Sequence, residues 1–313
     1  MKNFAAMLVL WVCCACGALA QQPDFKVTLL GTGSPPPVLT RFGPSVLVQA
    51  GKETLLIDCG RGCSQRLWQG NVKLSSLDGL FITHLHSDHI VGIPDLWLTG
   101  WLVGPYGQRR MPFRVWGPVG TKTLMEHLEK AYLWDIDTRV ADQKLPREGV
   151  AVVVAEFVEG VVYERNGVRV TAFEVDHGDL VKPAFGYRVD YDGRSVVISG
   201  DTKFNENLIR HGTGADLLIH QVAMARTELI KKSEAVRLVL SHHTKPEEAG
   251  LVFTRVAPKL AVYYHVSLLG SPDFPPLTEK DVIDRTRTTY SGPLEMGRDM
   301  MVFVVGKDGV KKQ

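Results

Sequence analysis

The stretch Leu80-Phe81-Ile82-Thr83, running directly into His84-Leu85-His86-Ser87-Asp88-His89, constrains this chain more than any other segment. An apolar strand that ends in a His-x-His-x-Asp-His loop presents four metal-seeking side chains at one strand end. There they can converge on a small volume without being buried unpaired. The plain alternative is a polar loop that happens to be rich in histidine, and it requires this spacing to arise by chance. One loop supplies more ligands than a single catalytic zinc takes when it keeps a position open for water, so two ions are expected and further ligands must follow. Three later positions fit, each closing a strand-like run: His177 after Thr171 to Asp176, Asp201 after Val196 to Gly200, and His265 after Leu260 to Tyr264. Taken alone, His177 or His265 would read as a satisfied half-buried histidine; the first loop reverses that reading. Strand ends gathered at one sheet edge are where α/β folds build sites.

The surrounding pattern agrees with such a fold. Strand-like runs at Lys26 to Leu30, Ser45 to Gln49 and Thr54 to Ile57 are broken by Gly-Thr-Gly and Gly51-Lys52 turn signals. Helical stretches then alternate with strands: near Gln65 to Gln69, from Ile90 to Leu102, from Thr121 to Trp134 and from Pro246 to Val256. Further strands are expected at Val150 to Val158, Val168 to Val175, Phe185 to Val189, Ser195 to Ser199, Leu217 to His220 and Leu260 to Tyr264, with a final helix and strand after them. Mixed strands and helices predict an α/β protein whose helices cover sheet faces. No repeat, low-complexity segment or linker is visible, so residues 21–313 read as one domain.

In order along the chain, Leu29-Leu30-Gly31-Thr32-Gly33, Leu56-Ile57-Asp58-Cys59-Gly60, Thr83 to His89, His177 followed by Gly186-Tyr187-Arg188-Val189, Gly200-Asp201-Thr202 and His265 resemble the motif series of the metallo-β-lactamase superfamily. Within it they are most similar to the ribonuclease Z and arylsulfatase-like branch. The resemblance implies a four-layered αβ/βα sandwich with a dinuclear metal site at one sheet edge, usually two Zn2+, with Mn2+ or Fe2+ as alternatives. Carried over position by position, His84, His86 and His177 would hold one ion and Asp88, His89 and His265 the other. Asp201 would bridge them, and Asp58 would orient ligands rather than bind metal.

Such a pair of ions makes a hydroxide at neutral pH, so the expected protein is a hydrolase without a protein nucleophile. Consistently, Gly-x-Ser-x-Gly is absent, and Gly31-Thr32-Gly33 lacks the rest of a nucleotide-binding fingerprint. The candidate catalytic residues are Asp88, which doubles as a ligand, and His243. Ser241-His242-His243-Thr244-Lys245 resembles the family's His-Thr segment, whose non-ligand histidine stabilises the transition state or protonates the leaving group. Alignment through Ala249-Gly250 selects His243, whereas alignment through Thr244 alone selects His242. His127, His211 and His220 match no motif and read as structural or surface residues. Trp97, Trp101, Tyr106, Trp116 and Trp134 read as core packing before pocket lining.

Composition narrows the substrate. The 313 residues are 45% hydrophobic and 22% charged, with 36 Lys+Arg against 34 Asp+Glu, which excludes a disordered chain and removes the field that nucleic acid demands. Residues 1–20 read as a cleaved signal peptide: Lys2, an apolar core from Phe4 to Cys16, and Ala18-Leu19-Ala20 as the cleavage site. A retained anchor or a lipid-bearing Cys16 are the alternatives. Cys13, Cys14 and Cys16 leave with that segment; of the remaining pair, Cys59 is read as filling a small buried site, with a Cys59–Cys63 disulfide as the alternative.

The expected protein is therefore an exported, periplasmic or secreted enzyme without other membrane attachment, able to form a homodimer. Its metal-bridging hydroxide would attack a phosphodiester or sulfate ester of a small molecule. The alternative is a ribonuclease Z-type tRNA 3′ endonuclease; against it stands the interval from His177 to Asp201, which a compact hairpin fills where tRNA-processing members carry a long basic arm. A β-lactamase or lactonase would use the same hydroxide. A glyoxalase-type thiolester hydrolase fits less well, and an oxygen-reducing diiron protein would carry glutamate at His86. Outside enzymes, a metal- or ligand-binding relic would not need all seven ligands.

Overall fold

In the computed structural model, residues 24–313 are described; the segment read as a signal peptide, with Cys16, lies outside the described residues. The strands in chain order are β1 (Phe25–Gly31), β2 (Ser45–Ala50), β3 (Glu53–Ile57), β4 (Gly79–Phe81), β5 (Phe113–Gly117), β6 (Val152–Glu156), β7 (Gly160–Arg165), β8 (Val168–Val175), β9 (Ala184–Tyr191), β10 (Arg194–Ile198), β11 (Leu217–Ala225), β12 (Leu260–Leu269), β13 (Leu294–Met296), β14 (Val302–Gly306) and β15 (Gly309–Lys312). They form an eight-stranded sheet, ordered β15-β14-β1-β2-β3-β4-β5-β6, and a seven-stranded sheet, ordered β13-β12-β11-β10-β9-β8-β7.

Alternation within the strands decides which core each residue joins, because successive side chains point to opposite faces. Leu55 and Ile57 of β3 face the second sheet, in a core shared with Val189, Val196 and Ile219, while Leu56 between them packs outward with Trp97 and Trp101. On the other sheet Leu217 and Ile219 of β11 face inward and Leu218 outward, against Val252 and Phe253. Each sheet is thus apolar on both faces and must be covered on its outer side by helices.

Helices α1 (Cys63–Gln69), α2 (Ser87–Ile90), α3 (Ile93–Trp101), α4 (Thr121–Ala131) and α5 (Leu133–Gln143) belong to the first half of the chain. The second half holds α6 (Glu206–Gly212), α7 (Thr227–Lys232), α8 (Glu234–Ser241), α9 (Pro246–Val256) and α10 (Glu279–Thr286). The layers run helix, sheet, sheet, helix, which is the αβ/βα sandwich expected from the motif series. The helix expected from Thr121 to Trp134 is two helices meeting at Tyr132, and the strand expected at Val150 to Val158 is shorter at both ends. Cys59 and Cys63 correct the packing expectation. Both are buried against the outer core, but their sulfurs are joined in a disulfide.

β3 and β4 run parallel, as do β10, β11 and β12, so the C-terminal ends of these strands gather at one edge of the sandwich. The loops leaving that edge carry every candidate ligand except His265, which lies within β12.

Candidate metal centre

Each ligand is presented by a local device. The strand β4 ends at Phe81, and two residues later the chain turns so that His84 and His86 precede α2 while Asp88 and His89 lie in its first turn. Asp201 follows β10 through Gly200, whose φ of 61° is open to glycine and whose position leaves a Cβ only 2.5 Å from the Phe185 carbonyl oxygen. His265 lies inside β12 with φ of 43°, at a register shift against β11. That left-handed residue re-aims the imidazole from the sheet plane into the site.

The structure brings all seven predicted ligand residues together. The groupings His84, His86 and His177, and Asp88, His89 and His265, each place one ligand atom per residue within 4.8 Å of the others. His84 Nε2 and His177 Nε2 stand 3.0 and 3.2 Å from His86 Nδ1, close to the roughly 3.3 Å edge of a tetrahedron with metal–nitrogen bonds of about 2.0–2.1 Å. In the second group His265 Nε2 lies 3.2 Å from Asp88 Oδ2, and His89 Nε2 lies 3.7 Å from it. One oxygen, Asp201 Oδ2, faces both groups, at 3.5 Å from His89, 3.3 Å from His265 and 3.8 Å from His177.

The residues fit metal on their own chemistry. His89 Nε2 and Asp201 Oδ1 are buried and meet no hydrogen-bond partner, an arrangement that is costly unless something further satisfies it. Burial, aided by the neighbouring imidazoles, holds His84 well below its ordinary value and His177 at about 4, so both are neutral and free to ligate at physiological pH. Burial would raise Asp201, but His265 and His89 outweigh it and hold the carboxyl well below the usual range. Burial likewise opposes charge on His89, yet the Asp58 and Asp201 carboxylates lift it well above its ordinary value.

A second ring of contacts fixes ring orientation. Asp58 accepts from Thr83 N at 2.8 Å and Thr83 Oγ1 at 2.9 Å, and its Oδ2 stands 2.8 Å from His89 Nδ1, the orienting part read for it in the sequence. Thr83 Oγ1 also reaches His84 Nδ1 at 3.0 Å, a contact sequence reasoning passed over by treating Thr83 only as the end of a strand. His177 Nδ1 lies 3.0 Å from the His242 carbonyl oxygen, which leaves its Nε2 turned to the cluster. Thr244 donates to Thr202 O at 2.8 Å and so pins the loop after α8 beside Asp201.

That pin separates the two histidines. His243 Nδ1 lies 2.8 Å from Val239 O and its Nε2 lies 3.4 Å from Asp201 Oδ2, whereas His242 packs against Gly178 on the far side of His177. Burial disfavours the charged His243, but Asp201 outweighs it and raises the imidazole.

The remaining histidines sit apart. His127 is exposed on α4, His211 stacks on Phe173, and His220 is buried with Nδ1 3.0 Å from Ser199 Oγ. Trp97 and Trp101 are core residues and Trp116 stacks on Phe81, but Trp134 is 78% exposed, contrary to a packing role.

The sequence model of the family described as anti-Pycsar protein Apyc1 matches residues 25–235. A ribonuclease Z of Mycolicibacterium gilvum is 35% identical over 277 residues, covering 88% of this chain and 94% of that protein. Among solved structures, the metallo-β-lactamase fold protein YhfI from Bacillus subtilis superposes with a TM-score of 0.66 at 20% identity, over 89% of this chain and 98% of that one. The short form of human tRNase Z superposes with a TM-score of 0.65 at 24% identity, over 88% and 98%. The curated relatives thus carry the name of the endonuclease alternative, not of a small-ester hydrolase. Sequence likeness along almost the whole length, on this two-sheet frame, establishes that the chain belongs to the metallo-β-lactamase superfamily, in the branch of the ribonuclease Z proteins.

Proposed function

We propose that this chain is a metal-dependent phosphodiesterase, in which water and a phosphodiester give a phosphomonoester and an alcohol. The observation that carries the reading is Asp201 Oδ2 facing both ligand groups at once, the arrangement a carboxylate needs in order to serve two ions. Two divalent ions, zinc before manganese or iron, would supply an activated water at neutral pH and offset charge on the phosphoryl oxygens. His84, His86 and His177 would hold one, Asp88, His89 and His265 the other, and Asp201 both. His243 is suited to carry the proton to the departing alcohol oxygen: the Val239 carbonyl fixes its Nδ1–H, and Nε2 faces the cluster.

The names of the relatives support phosphodiester chemistry over the sulfate ester, since a ribonuclease cleaves phosphodiesters. Substrate size is a separate matter. The interval from His177 to Asp201 holds the β9–β10 hairpin, closed by Asp192 and Gly193 at φ of 47° and 71° and paired along its length, which supports a small or single-stranded substrate over a folded RNA. The same proposal keeps the protein outside the cytoplasm, on the strength of residues 1–20.

The test is a panel assayed with the zinc-loaded chain lacking residues 1–20: bis(p-nitrophenyl) phosphate, p-nitrophenyl sulfate, a lactam, and a precursor tRNA with a 3′ trailer. Chelator-sensitive turnover of the diester well above the sulfate and lactam is expected. Faster turnover of sulfate or lactam contradicts the proposal, and a single tRNA cut at the trailer selects the endonuclease.

A further inference from the structure

A cleft of about 270 Å³ opens beside the metal centre, lined by Leu85, His86, Pro118, Val119 and the segment Leu180 to Pro183. Single exposed apolar side chains are ordinary on a protein surface. Here three of them, Leu85 at 36%, Val119 at 65% and Leu180 at 99% exposure, come from three separate loops and line one depression with a candidate ligand on its wall. His86 is on that wall, and its Nδ1 stands 3.0 Å from His84 Nε2 and 3.2 Å from His177 Nε2, so the cleft abuts the metal cluster at His86.

The opposite wall is held in place. Glu156 Oε1 accepts from Gly120 N at 2.8 Å and Lys122 N at 2.9 Å, tying the loop after β5 to the end of β6. Gly120 has φ of 103°, and a Cβ there would stand 2.9 Å from Leu85 Cδ1, so the glycine is what lets the two loops close together. At the rim Lys182 pairs, among the described residues, with Asp179 at 3.3 Å, and both side chains are largely exposed. A pair of that kind is worth little, so the ammonium is available to an incoming phosphate.

We infer that this cleft is a substrate subsite for one aromatic ring system attached to the scissile phosphodiester, a nucleobase or an aryl group. The inference rests on the phosphodiesterase reading. The volume lies just under the roughly 300–1,000 Å³ of pockets that take drug-sized molecules, so it admits a ring but not a duplex. Of its lining side chains His86 and Lys182 are polar and the others apolar, so the ring is held mainly by its faces. The apolar walls take the ring, and Lys182 together with the metal centre takes the phosphate.

The experiment compares kcat/KM for bis(p-nitrophenyl) phosphate and methyl p-nitrophenyl phosphate, which share a leaving group and differ in one ring. The zinc-loaded native chain is expected to favour the first by about tenfold or more, and Leu180→Ser and Val119→Ser to cut that ratio by about threefold to tenfold through KM. Both positions are exposed, so folding is not at stake, and circular dichroism verifies it. Calorimetry with phenylphosphonate and methylphosphonate gives the same comparison without turnover; tighter binding of the phenyl compound, lost in the two variants, is expected. A native ratio near one, or a ratio the variants leave in place while both diesters turn over, overturns the subsite alone. Failure of both diesters to turn over overturns the phosphodiesterase reading and the subsite with it. Competition by a dinucleoside monophosphate as strong as by the aryl diester identifies the ring as a nucleobase, and competition by the aryl diester alone identifies a non-nucleotide ring.

Discussion

Asp58 is buried and fixes two elements of the centre at once, the backbone and hydroxyl of Thr83 and the imidazole of His89. Replacing it with Asn keeps the volume but removes the charge that holds His89 Nδ1. Asp58→Asn is therefore expected to weaken zinc binding by about 10–100-fold, measured by competition with a chelator of known affinity; unchanged affinity would show that the ring is held by packing alone. His243→Ala should lower kcat by about 10²–10⁴-fold with metal content retained, while His242→Ala, on the far side of His177, should leave kcat within a few-fold. Equal losses in both variants would contradict the proton-carrying role. At this scale the first loop was legible because its ligands are neighbours in sequence. The choice between His242 and His243 was not, since it depends on where Thr244 is pinned, and the left-handed His265 leaves no local signature.

Elements are coupled over distances that no local pattern reveals. Asp299 Oδ1 accepts from Thr32 N and Oγ1 at 3.0 and 2.8 Å, and its Oδ2 from Phe42 N at 2.7 Å and Arg66 at 3.0 Å. It thus clamps the segment before β14 onto the loop after β1, 267 residues earlier in the chain. The same Thr32 offers its carbonyl to Val266 N, beside His265, at 3.1 Å. Asp299→Ala strands these donors and should cost about 2–3 kcal/mol in urea unfolding; a loss under about 0.5 kcal/mol would mean that water replaces the carboxylate freely. Strands with strict alternation, such as β3, and the hairpin marked by Asp192-Gly193 were readable. The strand β7 was not: it is a sheet edge, exposed or half-exposed except at Tyr163, with a weak pattern. The pair α7 and α8 carried a signal that was passed over, because Ser233 before Glu234 is an N-cap and its hydroxyl accepts from Val236 N at 3.3 Å. The disulfide reverses the packing reading for a simple reason: a spacing of four is compatible with either outcome, and only the placement of α1 decides it.

Across the whole molecule, both halves of the chain bring candidate ligands to one edge, so metal binding there would be coupled to folding. The metal-free fold also has a pH dependence of its own, to which the buried non-ligand His220 contributes. Burial lowers His220 to about 3, whereas an unfolded histidine takes up its proton near 6.5, so the unfolded state gains protons first and stability falls as pH drops below that value. Between pH 6.5 and 4 this residue alone accounts for a loss on the order of 3 kcal/mol, which His220→Phe should remove from the slope. Denaturant unfolding at pH 7, 5.5 and 4 measures it, and parallel slopes for the two proteins would contradict the assignment. The sandwich itself was legible because every strand end that mattered carried a ligand in order. The substrate was not, since it depends on loops whose side chains meet only in three dimensions. The most direct test of the account is to strip the metal from the chain, titrate zinc back, and follow diester hydrolysis against bound metal per chain. The account predicts activity rising to a plateau at two ions per chain, with Asp201→Ala losing metal and turnover together. A plateau at one ion or fewer, or an Asp201→Ala variant that still turns over at the native rate, would contradict it.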